Sequence, residues 1–144
     1  MKNNVFVLRA DFGRYTSTFE KEEYIGIGWF EVDPKEWDLT NKEFLKEKYR
    51  EDFPNDPNMR MNQNVGQINR FVNEMTVGDL VVSPYMDSLL LIGRIESELY
   101  FKSELYFKKD NSSPYPWRKS VKWFKEKIDR HTVNRFVFCE KVKN

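Results

Sequence analysis

The segment from Gly66 to Ile95, GQINRFVNEMTVGDLVVSPYMDSLLLIGRI, does most to constrain the fold. Val65, Ile68, Phe71, Val72 and Met75 recur at the spacing of one helical face. This predicts an amphipathic helix over 62–75. The following TVGD marks a tight turn. Leu80 to Tyr85 and Leu89 to Ser97 then read as two antiparallel strands around a short turn at 86–88. A helix feeding directly into a strand pair limits the chain to architectures in which helices cover a mostly local sheet.

Further elements flank this unit. Val5 to Leu8 reads as a first strand, Asp11 to Glu23 as a polar loop, and Tyr24 to Phe30 as a second strand. Thr40 with Glu43 three positions on has capping-box spacing, which predicts a helix over 41–52. The prolines Pro54 and Pro57 end it. Leu99 to Phe107 reads as an extended arm and Lys108 to Pro116 as a loop. Arg118 to Phe124 and Arg135 to Val142 read as closing strands, with a turn at 130–134. Strands in sequence predict an α+β fold: a small curved β-barrel of about six strands with two or more packed helices. A chain of 144 residues is one domain's worth, so residues 1–144 are read as a single domain.

Charge is distributed unevenly. Residues 1–100 carry a net −6 and residues 101–144 a net +7, although the whole chain is only +1. A C-terminal third this basic suits a phosphate-binding face, and it equally suits pairing with the acidic segments inside the fold. Aromatic residues make up 16% of the chain, enough that some are expected in pockets or at the surface, where flat rings stack on bases or partners. The apolar runs are far too short to span a bilayer, and the N-terminus has no apolar core of signal-peptide length. The lone cysteine, Cys139, leaves no internal disulfide, and a cytoplasmic protein is expected.

Several chemistries lack their residues. His131 and Cys139 have no third soft ligand near them, so no metal site is expected. No serine elbow accompanies His131, and no Walker sequence is present. The Gly26-Ile-Gly28 pair lies in a strand and opens no helix, so it is not a dinucleotide fingerprint. Neither catalytic residues nor cofactors are expected.

Three features suit recognition instead. Gly26 and Gly28 precede Trp29 and would leave a slot beside that ring into which a flat group could slide; the same glycines could simply ease core packing of Trp29. Arg118, Lys119 and Lys122 are interleaved with Trp117, Trp123 and Phe124, as cations for phosphates and rings for bases would be. An amphipathic strand with Trp123 in the core reads the same way. Asn62, Gln63, Asn64 and Gln67 crowd the expected start of the second helix, where carboxamides can pair with a base edge or merely cap and solubilise.

The order GIGW, RFVNEMTVGDLVV, LLIGRIESELYF, PWRKSVKWF and IDR resembles the PUA-like superfamily. It is similar to the EVE and YTH domains and to the N-terminal reader domains of modification-dependent restriction systems of the Mrr-like and McrB-like kind. The resemblance implies a barrel that flips a modified base out of DNA into an aromatic cage. The implied pocket takes Gly28, Trp29, Gln67, Pro84, Tyr85 and Trp117, with Arg70, Arg118, Lys119 and Lys122 on the nucleic-acid backbone. It further implies a non-enzymatic DNA-binding domain whose nuclease or NTPase is fused or separate. An RNA reader of the same superfamily is the alternative, as is a module binding protein or small molecules and no nucleic acid.

Overall fold

The structure is a computed structural model. It describes residues 4–9, 15–85, 88–102 and 115–129. His131, Cys139, the strand expected over 135–142, the turn before it and most of the loop expected over 108–116 lie outside these residues.

The described residues fall into two compact units. The first draws on the described residues within 1–25, 77–98 and 119–144, and the second on those within 26–76 and 99–118. In chain order the elements are β1 (Val5–Val7), α1 (Thr16–Glu22), β2 (Tyr24–Ile27) and a 3-10 turn at Pro34–Glu36. Next come α2 (Lys42–Asp52), α3 (Asn58–Asn69) and a π-turn at Arg70–Glu74. Then follow β3 (Leu80–Tyr85), β4 (Leu89–Ile95), β5 (Tyr100–Phe101), β6 (Trp117–Trp123) and β7 (Ile128–Asp129).

The first unit is built on the hairpin that the sequence marks most strongly. β3 and β4 pair antiparallel from Leu80↔Arg94 to Tyr85↔Leu89. The turn before β3 requires Gly78, whose φ of 99° is open to glycine and costly to other residues. β1 joins β3 in parallel, with Val5↔Leu80 and Val7↔Val82 in register. Pro84 lies beyond this pairing, where β3 needs no further donor on that side. β4 also takes β6 along Gly93 to Ile95 and β7 along Leu89 and Leu90. Phe19, Tyr24, Ile25, Val81, Leu90, Leu91 and Val121 are buried here, each contributing about 1.5–3 kcal/mol in removing its side chain from water.

Among the described residues the barrel does not form. The strand order β1-β3-β4-β6-β2 has two ends and leaves a mixed sheet open. Consecutive strands predicted neighbours by sequence, whereas the parallel β1–β3 pairing spans the whole helical segment and places β1 at an edge. The fold is therefore α+β, with helices and an open mixed sheet, in place of a PUA-like or EVE-like barrel.

Three local expectations also change. Thr16–Glu22 is a helix, α1, within the expected loop; its Phe19 and Thr16 are buried. The cap of α2 is Asn41, whose side-chain oxygen accepts from Glu43 N and Phe44 N. Thr40 instead donates its hydroxyl to Asp38. The second long helix starts at Asn58 and gives way after Asn69 to the π-turn, where Met75 N bonds back to Arg70 O at 2.9 Å.

In the second unit α2 packs on α3. Leu45 and Tyr49 from α2 and Met61, Val65 and Ile68 from α3 are buried. The Tyr49 hydroxyl donates to Asp56 and accepts from Asn64 Nδ2, tying α2, the connecting loop and α3 together. Burial, followed by the Asp56 hydrogen bond, pushes the Tyr49 phenol above its ordinary range. No helix among the described residues is long and apolar enough to cross a membrane.

Candidate functional site

The second unit contains an aromatic cluster assembled from three stretches of chain. β2 ends at Ile27, and Gly28 and Trp29 lead into Phe30, which is buried. The Phe30 ring lies 5.2 Å from Trp37 and 5.3 Å from Trp117. Trp37 packs edge-on against Phe44 of α2 and against Trp117. Trp117 has 0% exposure, and its indole N–H donates to Val32 O at 2.9 Å. These rings pack at the separations and tilts that aromatic quadrupoles favour. Trp37 stays half-buried, and the Lys48 ammonium sits 5.3 Å from its centroid and 5.5 Å from that of Phe44.

Gly28 and Trp29 stand at the edge of this cluster. Gly28 is exposed and Trp29 half-buried. The Gly28 side of the backbone is taken by Tyr115. A Cβ added to Gly28 would run into Tyr115 Cδ1 and lie 2.6 Å from Cε1, with Cγ further off at 3.7 Å. Those distances place the ring edge-first against the glycine. The Tyr115 backbone is held there: its carbonyl accepts from Arg118 Nε at 2.8 Å, and Lys102 N bonds to Pro116 O at 2.8 Å.

The other expected site residues are distributed as follows. Gln67 is exposed on α3, and Arg70 is exposed at the start of the π-turn. Asn62 and Gln63 are exposed but sit past the first turn of α3, and Asn64 is used by Tyr49. Trp117 is a core residue and presents no free face. Arg118 is nearly buried and bonds its own chain, so it does not face solvent phosphate.

Tyr85, Pro84, Lys119 and Lys122 belong to the first unit. Tyr85 and Pro84 are half-buried at the end of β3. The Lys127 ammonium lies 4.7 Å from the centre of the Tyr85 ring and 2.7 Å from Glu20 Oε2. The Glu20 hydrogen bond raises the Lys127 pKa above the ordinary lysine value. Lys119 has 0% exposure, and burial lowers its pKa while Glu98 and Asp79 act in the opposite sense. Of the three strand cations expected on phosphate, only Lys122 is exposed. Part of the charge asymmetry is thus spent internally, between basic residues of 119–127 and acidic residues nearer the N-terminus. Trp123 likewise serves the core, its indole donating to Phe19 O at 2.8 Å.

Among the described residues no group of three or more His, Cys, Asp or Glu is placed to hold a metal ion. Tyr115 was not legible as a site residue. Its available signal was its place between prolines in SPYPW, which stiffens the chain at one aromatic, together with a bare Gly28 that needed a neighbour.

Residues 12–138 match the family described as Domain of unknown function (DUF8426). The chain belongs to that family. No curated protein matches it. Membership in DUF8426 replaces the resemblance to EVE, YTH, Mrr-like and McrB-like readers, as the open sheet replaces their barrel. The roles which that resemblance implied for Tyr85, Pro84, Gln67 and Trp117 lose the support it lent them. Gly28 and Trp29 had a reading of their own from the glycines, and the residue that packs against Gly28 is Tyr115.

Proposed function

We propose that this DUF8426 chain is a non-catalytic binding module that takes up a single base of DNA, one carrying a modification, in the slot at Gly28 and Trp29. The observation that supports this is the Tyr115 ring seated edge-first on Gly28, in space that any other residue's Cβ would fill. The space beside Gly28 suits the edge of a flat ring. A base can reach it only outside the duplex stack, and a base enclosed in this way has its whole edge open to inspection.

Trp29 stacks on the base in this reading. Arg70, exposed on the π-turn of the same unit, is the cation assigned to a phosphate contact. The protein acts in the cytoplasm, and any cleavage belongs to a fused or separate nuclease or NTPase. The test is Trp29→Ala. Affinity for modified duplex should fall by about 1–3 kcal/mol, as for loss of one base–aromatic stack, while affinity for plain duplex is unchanged. An equal loss on both duplexes, or none on either, would remove Trp29 from the site.

A further inference from the structure

We infer that one face of the first unit's sheet carries a nucleic-acid contact of its own, in which Arg94 and Lys122 share one phosphate of a single strand of DNA and the Phe124 ring stacks on a base beside it. That the strand is DNA rests on the base-binding reading, whereas the arrangement of the side chains stands apart from it.

Strand register places these residues together. Arg94 of β4 stands directly opposite Lys122 of β6. Phe124 N bonds to Ile92 O at 2.8 Å and Glu96 N bonds to Ser120 O at 2.8 Å, so the ladder continues on either side of that pair. Side chains two apart along a strand share a face. Ile92 with Phe124, Arg94 with Lys122, and Glu96 with Ser120 therefore follow one another on a single face. Helix α1 packs on the opposite face, where Trp123 donates to Phe19 O and Ser83 meets Thr16. Arg94 and Lys122 are exposed, and Phe124, a large apolar ring, is 42% exposed.

Like charges directly opposite one another destabilise a sheet. In a hydrogen-bonded antiparallel pair the Cα atoms are only about 5.5 Å apart. Among the described residues neither cation enters an ion pair, and Glu96, although on the same face, bonds to neither. Arg94 Nη1 instead donates to Gly78 O at 2.7 Å, which orients the guanidinium. The group carries several further N–H donors. An anion bridging the pair offsets the repulsion, and phosphate suits both partners, since guanidinium and ammonium each bind its oxygens.

The neighbour of this pair decides the partner. A cationic surface beside an exposed aromatic ring is the means by which single strands are held without reading sequence. An acidic peptide would meet the cations but offers the Phe124 ring no flat face to stack on. A duplex keeps its base faces inside the stack, so the strand at Phe124 is single.

The experiment titrates labelled oligothymidylate against the wild type, Arg94→Gln, Lys122→Gln, the double variant and Phe124→Leu at several salt concentrations. Thermal unfolding checks that each variant is folded. An abasic strand of the same length and polyglutamate serve as comparison ligands. The double variant should flatten the slope of log affinity against log salt by about 0.7, the value for one phosphate of a single strand. Phe124→Leu should bind oligothymidylate about tenfold more weakly, with its salt slope and its affinity for the abasic strand unchanged. A slope change near 1.4 or near zero for the double variant, wild-type affinity in Phe124→Leu, a preference for polyglutamate, or no binding by the wild type each overturns the inference. Trp29→Ala separates this contact from the base-binding reading. If Trp29→Ala loses the preference for modified duplex while the variants of this face bind as the wild type does, the inference fails and that reading stands. If the variants of this face lose oligothymidylate as expected and Trp29→Ala alters no preference, this contact stands and the reading at Trp29 fails.

Discussion

Trp117→Ala is expected to lose about 3–5 kcal/mol of stability, the range for truncating a large buried aromatic. Trp117 is wholly buried and touches the rings of Phe30 and Trp37. Its removal opens a cavity in the centre of the cluster and leaves Val32 O without its indole donor. Phe30, Val32 and Trp37 share one stretch of chain that Trp117 meets from β6, so the cavity opens between two separate segments. Trp117→Phe keeps part of the ring volume and loses the N–H, and should fall between the two. Urea unfolding monitored by circular dichroism measures the series. A loss under about 1 kcal/mol for Trp117→Ala, the level of an ordinary substitution, would mean that the cluster is not the core of its unit.

Lys119→Ala is expected to cost a similar amount, about 3–5 kcal/mol, for an electrostatic reason. Lys119 and Asp79 are both buried in the first unit, and Glu98 also acts on the ammonium. Taking away the cation leaves buried negative charge without its compensation, and the stem's packing is lost with it. Lys119→Met retains the packing and isolates the charge. The pH dependence has a definite sign. Burial holds the folded-state pKa of Lys119 below the unfolded value of 10.5, so between the two the unfolded chain binds more protons. Wild-type stability should accordingly rise relative to Lys119→Met as pH climbs through the folded pKa towards 10.5. A difference that is flat with pH over this range would show that Lys119 is solvated.

The legible parts of this fold were those in which local pattern and tertiary demand agree. The hairpin from Leu80 to Ile95 combines apolar runs, a glycine turn and a short connection, and the structure pairs it as expected. α2 is present over Lys42–Asp52, displaced only in its cap, because Asn41 is as good an acceptor as Thr40 and stands next to it. α1 was hidden because TSTFEKE has weak helix formers at its start and one apolar anchor, Phe19. The open sheet was hidden because β1 pairs with β3, and no local signal encodes a partner that far along the chain.

The site divides in the same way. The glycines before Trp29 marked a place without side chains, and the Tyr115 ring packs against Gly28 there. Which ring it would be depended on a contact between Gly28 and Tyr115 that crosses most of the sequence. Trp117 and Lys119 read from sequence as a pocket wall and a phosphate contact, since a tryptophan or lysine in a strand looks alike in a core and on a surface. Their burial follows from partners contributed by other elements: Phe30, Trp37 and Val32 for the ring, Asp79 and Glu98 for the ammonium.

Base recognition is tested most directly by competition binding of the wild-type chain at one fixed salt concentration, since phosphate contacts make affinity salt-dependent. Duplexes of one sequence would carry no modification, 5-methylcytosine, 5-hydroxymethylcytosine or N6-methyladenine, with an RNA of the same sequence alongside. A clear preference for one modified DNA over its plain counterpart is the expected result. Equal affinity for all of them, or none for any, would contradict it, and a preference for the RNA would move the base-binding slot to a different nucleic acid.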